Sequence, residues 1–156
     1  MPHPTKLWLD LPSGRVATHG PILHITWRRL DDPAVIGAAD EALAQWWTTD
    51  APGVRCLCVH HFPDGLPPKR TPENRAALLA HFEKNRGRVA AAAVVLEAKG
   101  FAASLIRSII AGLTVAISTD VKVGFVDDLD AGLVWLAARA KGDNAFDAAD
   151  ALRALR

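Results

Sequence analysis

The chain has 156 residues, half of them hydrophobic and 22% charged, with 18 Lys+Arg against 17 Asp+Glu and six His. That size suits one domain with its own core, and that composition excludes disorder as the main state. A formal charge of +1 gives no global attraction to nucleic acid or to an anionic membrane.

Residues 1–15 hold no apolar run of the kind found in a secretory signal, so a cytoplasmic chain is expected. Leu7, Leu9 and Leu11 alternate, predicting a strand that turns at Pro12-Ser13-Gly14. Residues 16–18 read as a short strand, and His19-Gly20-Pro21 as a turn. Leu23, Ile25 and Trp27 then give a further strand one apolar face. Asp32 is a suitable N-cap and Pro33 fits the first helical position. Val35, Ile36, Ala39, Leu43, Trp46 and Trp47 follow at helical spacing until Ala51-Pro52-Gly53. Residues 54–62 predict a strand and 63–70 a proline-rich loop. Thr71-Pro72 repeats the cap signal, Leu78, Leu79 and Phe82 mark a helical face, and Gly87 ends it.

Residues 88–96 carry no charge after Arg88, as expected for a central strand covered on both faces. A helix is expected over 100–119, a strand over 121–126, and a helix from Asp128 carrying Leu129, Leu133, Leu136 and Ala140. A short helix over 146–155 closes the chain. The fold class is therefore α/β: a single domain over 1–156, with a core at 14–141. Its mixed sheet has antiparallel N-terminal strands followed by β-α-β-α-β-α. The apolar stretch 101–117 carries Arg107 near its centre, which argues for a buried helix rather than a membrane span.

Candidate chemistry is sparse. Cys56 and Cys58 lie two apart on one strand, a poor geometry for a structural disulfide. With His60 they share a face, but same-face neighbours are about 6.6–6.8 Å apart, too far for all three to hold one ion. Cys58 and His60 would need help from a residue such as His24. No metal and no cofactor is expected. His60 and His61 point to opposite faces at the end of their strand, where open α/β sheets bind ligands. His61, Asp64, Glu97, Lys99 and Asp127 are the crevice candidates. A histidine with carboxylates and a lysine suits acid–base work, yet no Ser or Cys lies at those strand ends as a nucleophile. Residues 69–88 are locally basic, and Lys69, Arg70 and Arg75 are candidates for an anionic group or an acidic partner. Nucleic acid is not expected, because no aromatic set is interleaved with these cations. Ser104, Ser108 and Gly112 form a line of small residues where a second copy of the chain or an apolar ligand would pack.

The order of elements resembles the STAS domain of anti-sigma-factor antagonists, in particular a bacterial STAS-like subgroup with kinship to CRAL-TRIO lipid-transfer proteins. The residues that carry this resemblance are GPILHITWRR at 20–29, VRCLCVHHFPDG at 54–65, the segment 71–97, GFAASLIRSIIAGL at 100–113 and VKVGFVDDLDAGLVWLAAR at 121–139. The resemblance implies a non-catalytic regulatory or protein-interaction domain, with an anti-sigma-factor or kinase-like protein as partner. It also implies a phosphorylatable Ser or Thr at the start of the helix after the strand matching 54–62. The family pattern there is Asp-Ser-Ser/Thr-Gly. This chain reads Asp64-Gly65-Leu66-Pro67-Pro68-Lys69-Arg70-Thr71, so Thr71 is the phosphosite candidate. Two further readings stay open: a carrier of small ligands or lipid with the same fold, and a small enzyme using the strand-end histidine and carboxylates.

Overall fold

The computed structural model describes residues 3–29, 32–64, 71–117 and 120–156. Six strands form one sheet in sequence order: β1 (Thr5–Leu11), β2 (Gly14–His19), β3 (Ile22–Trp27), β4 (Cys56–Phe62), β5 (Val89–Leu96) and β6 (Lys122–Val126). The first three pair antiparallel and β3 to β6 pair parallel, as the sequence pattern predicts. The helices are α1 (Pro33–Gln45), α2 (Pro72–Asn85), α3 (Phe101–Ile117), α4 (Leu129–Ala137) and α5 (Ala148–Leu155).

Three crossovers step along the sheet in the same direction, and right-handed crossovers of this kind put their helices on a common face. Accordingly Val35 and Leu43 of α1, Leu78 of α2 and Ile106 and Ile110 of α3 pack in one core with Ile25, Cys58, Val94 and Leu96. No further strand follows β6, so α4 is free of that constraint. With α5 it covers the opposite face, where Leu133, Leu136, Ala151 and Leu155 pack on Ile22, Val59, Ala93 and Val95. β5 alternates between the two cores and is buried from Ala91 to Leu96, which explains its lack of charge. β1 and β6 are the edge strands, and Leu7 and Leu11 of β1 are exposed.

Local signals end the elements. Asp32 Oδ1 accepts from Ala34 N at 2.8 Å at the start of α1, and Asp128 Oδ1 accepts from Ala131 N at 2.7 Å at the start of α4. Two expectations shift. α1 stops at Gln45, and Trp46–Asp50 form one wider turn, with Trp46 Nε1 donating to Val54 O at 2.9 Å. The last helix begins at Ala148 rather than 146, because Asp147 caps it by accepting from Asp150 N at 2.7 Å. The line Ser104, Ser108 and Gly112 lies on the exposed side of α3, while Ala103, Ile106 and Ile110 face the sheet.

Gly124 of β6 is required by close approach. The Trp135 ring lies on it, and a Cβ there would come within 2.6 Å of Cζ2. Arg139 also packs over the ring, with its guanidinium carbon 3.7 Å from the ring centroid. Gly124→Ala is expected to cost about 1–3 kcal/mol through displacement of the indole. Thermal unfolding checks this; an unchanged midpoint would show that Trp135 moves aside freely.

Candidate functional site

The in-register ends of β3, β4 and β5 bring the first candidates together. Thr26 pairs with His61, and His61 pairs with Val95. His24 sits one pleat back on the same face, opposite Val59, so the two imidazoles are diagonal neighbours. Their rings stack with centroids 5.4 Å apart at 19°, and His24 Nε2 lies 3.2 Å from His61 Nδ1. Just past β5, Glu97 Oε1 reaches within 3.2 Å of His61 Nε2 but off the hydrogen-bonding line of that nitrogen. The result is a carboxylate–imidazole–imidazole chain, most of it under cover.

Arg15 approaches the pair from β2, its Nη1 donating to Leu155 O at 3.3 Å and so tying α5 to the sheet. Burial, then the His61 ring, then Arg15 push His24 down to about 3 from 6.5. A neutral His24 is thus the rule, and one of His24 Nε2 and His61 Nδ1 donates to the other. Among the described residues, His24 Nδ1 and His61 Nε2 are the buried side-chain atoms without a hydrogen-bond partner.

These groups floor a crevice of about 510 Å³ rimmed by Arg28, Pro63, Asp128, Asp130 and Arg156. The strand order never reverses among the parallel strands, so this is not the cleft of a doubly wound sheet. It opens on the α4/α5 face, where α4 packs on β4, β5 and β6 while α5 packs on β2.

Of the other crevice candidates, Lys99 and Asp127 pair with each other at 3.4 Å, both largely exposed, and neither lines the crevice. Asp128, the neighbour, lines it instead. Asp64 is exposed beyond β4. Thr71 directly precedes Pro72, the first residue of α2, where the sequence places it. Lys69 and Arg70 lie outside the described residues, as does the Arg75 side chain.

The opposite face of β4 is chemically quiet. Trp27 Nε1 donates to His60 Nδ1 at 3.1 Å, which puts the remaining proton of a neutral ring on Nε2, 3.4 Å from Cys58 Sγ. Burial, with the nearby His81, holds His60 down at about 3, and burial pushes the Cys56 thiol up to about 12 and Cys58 well above its ordinary value. A protonated thiol beside a fully used imidazole is neither nucleophile nor base. His24, the suggested helper for these residues, stacks on His61 across the sheet and does not join them.

One polar cluster had no motif in the sequence. Burial pushes the Asp40 carboxyl up, but His81 Nδ1 at 2.6 Å and Asn85 Nδ2 at 2.6 Å outweigh it and hold it below the usual carboxylate value. His81 and Asn85 sit at i, i+4 on α2, so the cluster bolts α2 to α1. Next to it, the first core leaves an apolar cavity of about 60 Å³ bordered by His81, Phe82 and Ile110.

Comparison of the chain with family models, with curated proteins and with solved structures gives no match. No helix among the described residues is long and apolar enough to cross a membrane.

Proposed function

We propose that the chain is a non-catalytic, STAS-like regulatory domain that works by binding another protein, with Thr71 as its switch residue. The observation that carries this reading is the place of Thr71. It stands between β4 and α2, directly before the first turn of a helix that begins after the carboxyl end of a central parallel strand. A phosphate there would meet a helix N-terminus, an environment that favours added negative charge. The silent Cys58–His60 pair fits a scaffold better than a reaction centre. The apolar cavity of about 60 Å³ is well short of the about 150 Å³ that accepts a benzene-sized guest, which favours this reading over a lipid carrier.

Affinity capture from the native host tests the proposal, using wild type, Thr71→Ala and Thr71→Asp brought to matched folded fractions. Aspartate caps a helix well, so Thr71→Asp is expected to keep the fold. A recurrent protein partner should be captured by wild type and its capture altered at least severalfold by Thr71→Asp. Equal capture by all three variants removes the switch from the proposal. Capture of no protein above background removes the interaction itself.

A further inference from the structure

The sheet has two edges, and they are built differently. On β1 the ladder to β2 slips between Leu7 and Leu9, so a bulge interrupts the row of outward-facing backbone groups. Lys6 of that strand is drawn back over the sheet, its Nζ 3.5 Å from the Trp8 ring centroid and donating to Gln45 Oε1 at 3.0 Å. A bulge and a lysine are devices that keep an edge from pairing with another chain. β6 has no such break. Lys122 to Val126 pair with Ala91 to Val95 in unbroken register, and among the described residues no strand lies on the other side. Its one charged residue, Lys122, stands at the start of the strand, which leaves Val123, Gly124, Phe125 and Val126 as an apolar edge.

Antiparallel pairing of β6 with its own copy, about a two-fold axis at Gly124, suits both faces of the strand. Val123 and Phe125 share the face of Ala92 and Val94, where α1 to α3 pack. There Val123 of each chain comes opposite Phe125 of the other, and Phe125, 37% exposed in the single chain, is covered. On the α4 face Gly124 meets Gly124 with no side chain to collide, and Lys122 comes opposite Val126. Diagonal to Lys122, about 7–8 Å away and within reach of so long a side chain, is Asp128 of the second copy. Asp128 keeps an extended backbone, with φ −147° and ψ 167°, and it caps α4 while staying exposed, as Lys122 is. The two-fold axis makes this contact twice, so the charges complement one another across the seam. Asp120, which would otherwise face Asp128 of the second copy, is already held by Arg55 Nη1 and Nη2 at 3.0 Å each.

We propose that the occupant of the β6 edge is a second copy of this chain, paired antiparallel about Gly124 so that the two sheets become one. The inference does not rest on the regulatory reading, because it involves neither Thr71 nor α2.

Sedimentation equilibrium of the full chain, from about 1 to about 500 µM, should show monomer and dimer in exchange with a Kd of about micromolar order. Lys122→Glu turns both attractive pairs repulsive, and Phe125→Lys replaces the apolar contact with a charge. Each should raise Kd about tenfold or more. Both residues are exposed, and circular dichroism at dilution checks that the variants fold. Ser108→Arg, on the exposed side of α3, should leave Kd unchanged, which separates this edge from the line of small residues. Hydrogen exchange gives a reading on the wild type alone: amides within 122–126 should exchange more slowly at high protein concentration, and those of β1 at the same rate. The proposal is overturned if the chain is monomeric at about 500 µM. It is overturned equally if folded Lys122→Glu and Phe125→Lys associate as tightly as the wild type, or if the concentration-dependent protection falls on β1 or α3 instead of β6.

Discussion

Lowering the pH from about 7 to about 4.5 should cost this protein about 5 kcal/mol of folding stability, before its ordinary carboxylates finish titrating. The cause is two imidazoles that the fold keeps neutral. His24 is held at about 3 by burial, His61 and Arg15, and His60 at about 3 by burial and His81. In the unfolded chain each returns to about 6.5, so between pH 6.5 and 3 the unfolded state binds more protons than the folded one. Stability therefore rises with pH across that window and gains nothing from these groups above it. Each ring contributes up to about 1.4 kcal/mol per pH unit, which makes about 5 kcal/mol for the two at two units below their unfolded value. Total stabilities of domains run about 5–15 kcal/mol, so the loss is of the same order. Asp40, held below its ordinary value, adds to the loss at still lower pH. Urea unfolding at several pH values measures the slope. A midpoint that stays flat from about pH 7 to 4.5 would mean that both rings accept protons inside the fold. His60→Gln should flatten part of the slope while lowering stability near neutrality, since Trp27 Nε1 would lose its present acceptor.

His60 and His61 show how far the chain could be read without its structure. That His60 and His61 face opposite sides follows from the period of a strand alone, and the structure agrees. The outcome for each ring does not follow. Whether His61 meets water or another imidazole depends on the register of β3 against β4, which places His24 diagonal to it across 37 residues of chain. Glu97 was visible as a residue just past β5, yet its approach to His61 also depends on register. Lys99 and Asp127 looked equally promising at neighbouring strand ends, and they satisfied one another instead.

The elements themselves are legible where a local signal ends them. Asp32 with Pro33, and Asp128 ahead of Leu129, mark helix starts because one side-chain oxygen bonds a backbone N–H two or three residues on. Asp147 carries the same signal and sets the start of α5, although Phe146 reads as the first apolar residue of that helix. The end of α1 is harder. Trp46 and Trp47 continue the helical spacing, but Trp46 Nε1 reaches forward to Val54 O and the chain widens into a turn closed by Ala51 N on Trp46 O, five residues apart. The Asp40–His81–Asn85 cluster lies beyond local reading altogether, since its partners are brought together by the rotation of α1 and α2 over the sheet.

Leu136→Ala should be the most damaging single truncation in the layer that covers the crevice face. Leu136 is fully buried, as is Leu133, one turn before it on α4. The helix sits unusually close to the sheet there: a Cβ on Gly132 would come within 3.0 Å of Val95 Cγ2. A layer already in tight contact has little room to collapse into the space a leucine leaves. The cost is therefore expected at about 2–5 kcal/mol, the transfer loss plus that of a retained cavity. For a chain of this size that corresponds to a fall in Tm of several degrees or more, at about 2–4 °C per kcal/mol. The backbone contributes nothing to the difference, because Leu136 O keeps its bonds from Arg139 N and Ala140 N at 2.9 Å each. Val134→Ala is the control on the same helix. Its side chain is 55% exposed, and truncation there should change stability by no more than about 0.5 kcal/mol. Thermal unfolding of both variants separates the cases. If Leu136→Ala melts with the wild type, α4 is not docked on β5 and β6, and the crevice it borders has no fixed wall.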